Sequence, residues 1–123
     1  MGLFDFFSGN HEIGSKRNPV VINAKEEVQA VASEYKWLID KYGPQEEAWS
    51  FVSQSLTQEW RKTLDMLRIK LKEGGIIEIW FDITATYPAN DDSGMALIAH
   101  EIAHSAAAEG VDLSVLDNKP KSD

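Results

Sequence analysis

The sequence predicts an α+β domain: an N-terminal helix packs on a three-stranded antiparallel β-meander, and a C-terminal helix follows. Three observations predict it. Apolar residues recur at steps of three and four before Gly43, they alternate with polar residues between positions 49 and 87, and an alanine-rich segment follows. We expect residues 1–18 to form an N-terminal segment and linker, residues 19–116 a single domain, and residues 117–123 a flexible tail. A chain of 123 residues suffices for one core.

The first predicted helix spans residues 24–42. Asn23 can cap its first turn, and Glu26 stands three positions later, as in many helix starts. The apolar face of this helix consists of residues three or four positions apart, namely Val28, Val31, Tyr35, Leu38 and Tyr42. Gly43 and Pro44 end the pattern.

Three strands are predicted after Pro44, at residues 49–56, 60–72 and 76–87. The last two alternate most regularly, and their apolar residues form one face for the first helix to cover: Leu67, Ile69, Leu71, Ile77, Ile79, Phe81 and Ile83. A three-residue loop at 73–75 keeps all of these residues on one face. We expect it to place Leu71 opposite Ile77, and Leu67 opposite Phe81.

The last predicted helix covers residues 95–108, starts from a cap at Asp92 or Ser93, and ends at Gly110. It contains the sequence His-Glu-Ile-Ala-His at positions 100–104. Two histidines four positions apart project from one helix face, where they can bind zinc, and the intervening glutamate can activate a metal-bound water.

This pentapeptide resembles the zinc-binding helix of zinc-dependent metallopeptidases, over five residues of 123. The resemblance implies that His100 and His104 are metal ligands and that Glu101 is the general base. The alternative interpretation is structural: His104 lies near the helix C-terminus, where a protonated imidazole is favourable, and His100 belongs to a solvated polar face.

A catalytic zinc ion takes three protein ligands, and no motif supplies the third one here. Asp112, just beyond the Gly110 turn, is the best-placed candidate. Glu109 lies about 140° around the helix from the second histidine, and His11 would require the N-terminal segment to fold across. The predicted metal ligands are therefore His100, His104 and Asp112.

The composition argues against several classes of function. A formal charge of −8 disfavours binding to nucleic acids and to anionic membranes. The absence of cysteine excludes disulfides, thiolate catalysis and cysteine-type zinc sites. No apolar run approaches about 20 residues, and residues 1–7 lack the pattern of a secretory signal, so we expect a cytoplasmic protein. The apolar segment 3–7 has three interpretations: a tail folded back on the core, a docking peptide, or a shallow membrane anchor, which the lack of nearby Lys and Arg disfavours.

The sequence favours a non-catalytic domain without a cofactor that contacts a protein partner or associates with itself. The predicted contact face is the outer side of the sheet, with Trp80, Arg68 and Met66, because exposed aromatic and apolar residues favour protein contacts. A C-terminal helix covering this face would instead make Trp80 part of the core. The alternative function is a zinc-dependent, peptidase-like hydrolase that uses His100, Glu101 and His104, with zinc as its cofactor.

Overall fold

The computed structural model describes residues 12–88 and 95–116. They form an α+β fold of two helices and one four-stranded mixed sheet, in agreement with the predicted fold class. The predicted segment 3–7, the caps Asp92 and Ser93, and the tail from residue 117 lie outside the described residues. The elements in chain order are β1 (Val20–Val21), α1 (Glu27–Tyr42), β2 (Trp49–Glu59), β3 (Lys62–Leu71), β4 (Ile76–Asp82), α2 (Met95–Ala107) and a 3-10 turn (Leu113–Leu116).

The sheet has the strand order β1-β4-β3-β2. Strands β2, β3 and β4 are antiparallel neighbours, whereas β1 pairs with β4 in parallel, with Val20 beside Phe81. The prediction of a purely antiparallel sheet of three strands is therefore wrong in its detail. Strand β1 has only two residues, which is too short for an alternating pattern to be detected in the sequence.

The hairpin between β3 and β4 has a three-residue loop, but one position earlier than predicted. Leu71 N–H donates to the carbonyl of Gly75, so the loop consists of residues 72–74, and Gly74 has a φ of 113°. In the observed register Ile69 pairs with Ile77, which is two residues away from the predicted pairing. Because side chains alternate with a period of two, this displacement leaves every residue on its predicted face.

The core lies between the sheet and α1. Leu67, Ile69, Phe81 and Ile83 on the sheet are completely buried, as are Tyr35 and Leu38 on the helix. The predicted helix face is correct except at Val28, which is 56% exposed. The helix begins three residues later than predicted, and its N-cap Glu26 makes no side-chain capping bond.

Helix α2 packs on the same side of the sheet as α1. The ring of His104 on α2 stacks on Phe51 of β2, with centroids 5.7 Å apart, and lies 5.7 Å from the ring of Tyr35 on α1. The two helices therefore share the inner face of the sheet, and neither covers the outer face. No described helix combines the length and hydropathy needed to cross a bilayer.

Candidate metal centre

The two histidines of α2 point into the protein. His100 is 0% exposed and His104 is 1% exposed, and their ring centroids lie 4.7 Å apart at an interplanar angle of 84°. On the other side of the helix, Ile98 and Ile102 are 52% and 64% exposed. An ordinary amphipathic helix would bury the isoleucines, so specific partners for the imidazoles must favour the observed orientation.

The first of these partners is Asp65 on β3. It alternates in phase with Leu67 and Ile69, so its side chain points to the inner face, and it is completely buried. Its Oδ2 lies 2.7 Å from Nε2 of His100 and 2.9 Å from Nε2 of His104. The amide of Gln54 on the neighbouring strand donates to Oδ1 at 3.0 Å. One carboxylate thus joins both imidazoles and is held in place from the opposite side.

The second partner is Glu34 on α1. It lies one helical turn from Val31 and from Leu38, within the buried face of the helix, and is completely buried. Its Oε1 is 3.1 Å from Nε2 of His104. That contact lacks hydrogen-bond geometry, and no donor among the described residues reaches either oxygen of an ionised Glu34, whereas a protonated Glu34 can donate to Asp65. The negative charge of an ionised Glu34 would therefore be buried without the hydrogen bonds that normally stabilise it.

The electrostatics of this cluster are dominated by burial. Burial, and then the negative charge of the neighbouring Asp65, raise the pKa of Glu34 well above its ordinary value. Burial also opposes ionisation of Asp65, but hydrogen bonds from His100 and His104 outweigh it and hold the pKa of Asp65 below its ordinary value. The pKa of one buried carboxylate is thus raised while that of its neighbour is lowered. Ionisation of both would place two negative charges close together in a buried site.

These four residues form a group that could hold a metal ion. One ligand atom from each of Glu34, Asp65, His100 and His104 lies within 4.8 Å of all the others, and among the described residues no other such group of three or more occurs. Ligands 2.0–2.2 Å from a tetrahedral ion are about 3.3 Å apart. The observed 2.7, 2.9 and 3.1 Å separations at the imidazole nitrogens are close to that distance. Small side-chain movements would therefore admit an ion.

The imidazole rings are oriented by aromatic neighbours. Phe51 stacks on His104 with an interplanar angle of 10°, and Tyr87 meets His100 edge-on at 5.4 Å. Both Nδ1 atoms are buried and have no hydrogen-bond partner among the described residues. The walls of the site thus direct Nε2 of each ring toward the two carboxylates by packing.

The remaining residues of the predicted zinc site lie elsewhere. Glu101 and Glu109 are exposed, and Glu101 belongs to the surface of α2. Asp112 is exposed outside the four-residue cluster, where its Oδ1 accepts hydrogen bonds from the amide and hydroxyl of Ser114. These Ser114 bonds lower the pKa of Asp112. His11 lies outside the described residues. The structure therefore brings the two predicted histidines together with two carboxylates that the sequence analysis did not select.

The predicted contact residues lie on the outer face of the sheet. Met66 pairs with Trp80 across β3 and β4, and Arg68 pairs with Glu78 and forms an ion pair with it at 2.8 Å. Trp80 is half-buried, with the ammonium of Lys16 at 5.4 Å from its ring centroid, and Met66 is only 7% exposed. The last helix does not cover this face, so the contact role of these residues stays a prediction.

A signal for the two missed ligands is present in the sequence. Asp65 occupies an inward position in phase with Leu67 and Ile69, and Glu34 lies within the apolar face of the first helix. Ionisable residues at core positions are rarely tolerated without a partner. Taken with the histidine pair, two such carboxylates indicate a shared buried site.

Comparison with protein-family models, curated proteins and solved structures found no match for this chain. What the protein does is therefore inferred from its own residues.

Proposed function

We propose that this protein is a non-catalytic domain that binds one divalent transition-metal ion, of the zinc class, through Glu34, Asp65, His100 and His104. The observation that supports it most directly is the convergence of four completely or almost completely buried ligand residues from three separate elements. The ion would join α1, β3 and α2 at one point.

Charge compensation supports a cation at this place. With neutral imidazoles and ionised carboxylates, the site carries two negative charges in an environment from which water is excluded. An uncompensated buried charge costs several kcal/mol, and a divalent ion removes both charges at once. Without the ion the site must take up protons instead, which agrees with the raised pKa of Glu34.

The donor set favours a zinc-class ion over magnesium or calcium. Two imidazole nitrogens and two carboxylate oxygens suit zinc and its neighbours in the first transition series, whereas magnesium and calcium prefer sites made of oxygen alone. Zinc serves as the probe in the experiments below because it has no redox chemistry of its own.

Burial of the ligands favours a structural role for the ion over catalysis. Catalytic zinc sites keep one position open for water, whereas structural sites are closed by four protein ligands. Here all four candidate ligands are 0–1% exposed, and the glutamate expected to be the general base, Glu101, is on the protein surface. A peptidase-like mechanism would need this carboxylate beside the bound water.

Metal analysis with matched variants tests the proposal. Zinc is added to the metal-free full chain, and the complex is analysed by native mass spectrometry and isothermal titration calorimetry. We expect one zinc per chain with submicromolar affinity, and loss of stoichiometric binding in His100→Gln and His104→Gln. The control Glu101→Gln alters an exposed carboxylate next to a ligand and should bind zinc like the parent protein.

A second measurement separates loss of the site from loss of the fold. Circular dichroism of each metal-free variant should show the same helix and sheet content as the metal-free parent protein. Equal zinc binding by the parent protein and by well-folded histidine variants would overturn the proposal. So would the absence of stoichiometric zinc in the parent protein.

A further inference from the structure

Between residues 98 and 107, helix α2 is attached to the rest of the domain mainly by two buried polar side chains. Among residues 98–107 the buried side chains are His100, His104 and Ala107, with Ala103 packed against the core from a half-buried position. The large apolar residues of this stretch, Ile98 and Ile102, face outward. Over residues 98–107 the helix therefore contributes little apolar side-chain area to the core, and the interactions of the two imidazoles are its main buried contacts there.

Most of the buried core lies outside α2, which contributes Ala107 to it. Tyr35 and Leu38 of α1 pack with Leu67, Ile69 and Phe81 of the sheet, and all five are completely buried. The longest strands, β2 and β3, pair over ten positions. These contacts among α1, β2, β3 and β4 do not involve residues of α2.

A second attachment lies at the C-terminal end of α2. The side-chain amide of Gln45 donates to the carbonyl of Ala107 at 2.9 Å, and its oxygen accepts from the backbone amide of Val111 at 3.3 Å. Gly110, just after the end of the helix, has a φ of 143°. Gln45 thus holds the end of the helix, while the histidines hold its middle.

We propose that occupancy of the site formed by Glu34, Asp65, His100 and His104 controls the docking of α2, so that removing the ion releases this helix while α1 and the sheet stay folded. This inference rests on the proposed metal-binding function and adds its consequence for conformation. A helix of 13 residues is near the lower limit of stability in isolation, so α2 should also unwind once it is released. The ion would then act as a switch for one element of the domain.

Hydrogen exchange measured by mass spectrometry tests this inference on the full chain. The protein is compared with one equivalent of zinc and after exhaustive chelation, and native mass spectrometry of the same samples reports whether zinc is bound. We expect amides of residues 95–107 to exchange at least about tenfold faster after chelation, because a docked helix opens less often than a released one. Amides of β3 should keep their protection in both states.

Matched variants make the result specific. In His104→Gln, residues 95–107 should exchange rapidly with and without zinc, whereas Asp112→Asn, which changes an exposed carboxylate after the helix, should behave like the parent protein. Zinc bound with no change in exchange of α2 would overturn this inference and leave the proposed function intact. Loss of protection throughout the chain after chelation would also overturn it. Absence of bound zinc would overturn both proposals.

Discussion

Replacement of Asp65 by asparagine is the sharpest single test of the metal centre. Among the described residues, Asp65 alone has a carboxylate oxygen in contact with both imidazoles, at 2.7 and 2.9 Å. Asparagine has nearly the same shape, and its side-chain oxygen can still accept the hydrogen bond from Gln54. The substitution thus removes one anionic ligand and leaves the local packing almost unchanged.

The expected loss of zinc affinity follows from the contribution of one ligand to the total binding free energy. Structural zinc sites with four ligands contribute about 10–16 kcal/mol to the binding free energy, or roughly 2.5–4 kcal/mol per ligand if shared equally. At 1.4 kcal/mol per factor of ten, Asp65→Asn should weaken zinc binding by about two to three orders of magnitude. Competition with a chelator of known affinity at pH 7 measures this range directly.

The control for this experiment is Asp112→Asn. Asp112 is the carboxylate that the sequence analysis selected as third ligand, but it is exposed and bonded to Ser114. Its replacement should leave zinc affinity within a factor of about two. An unchanged affinity in Asp65→Asn, or a large loss in Asp112→Asn, would refute the assignment of ligands made from the structure.

Three further predictions follow from the same structure. Glu34→Gln removes a carboxylate whose pKa is raised by burial, so urea denaturation should show a more stable metal-free protein. Its zinc affinity should fall by about two orders of magnitude. A variant in which stability and zinc affinity both rise, or both fall, would contradict the charge argument. Because burial in the site with α2 docked raises the pKa of Glu34, docking of α2 on the metal-free protein should be favoured while Glu34 keeps its proton. The free energy of that docking, from hydrogen exchange corrected for the intrinsic rate at each pH, should therefore decrease as pH rises from about 4.3 through the raised pKa of Glu34. Bound zinc should reverse this slope, and parallel curves with and without zinc would count against it. Gly43→Ala should destabilise the fold by roughly 1–3 kcal/mol in thermal denaturation, because Gly43 has a φ of 118° and an added Cβ would lie 2.9 Å from Cβ of Ala48; an unchanged melting temperature would show that the turn can relax.

The periodic elements of the fold were predictable from the sequence because their pattern is local. The helix before Gly43 and the alternating strands at β3 and β4 each bury one face, and the spacing of apolar residues records which face. The hairpin register was harder to predict, since either Gly74 or Gly75 could be the glycine with positive φ. Both choices leave the apolar residues of β3 and β4 on the same face of the sheet. Strand β1 could not be predicted, because two residues carry no periodicity.

The candidate site was only partly predictable for a different reason. The histidines are four residues apart on one helix, so their proximity is encoded locally, whereas Glu34 and Asp65 join them through contacts 70 and 39 positions away in sequence. The exposed Ile102 shows the same limit: the apolar side of α2 would be expected to face the core, and only the buried carboxylates explain why the histidine side faces it instead.

Anomalous diffraction from crystals of the zinc-loaded protein, recorded on both sides of the zinc absorption edge, tests the central claim most directly. The metal centre predicts one strong peak within about 2.0–2.2 Å of a carboxylate oxygen of Glu34 and of Asp65 and of Nε2 of His100 and His104. A zinc peak elsewhere on the chain, or a site in which these four side chains contact one another with no peak between them, would contradict it.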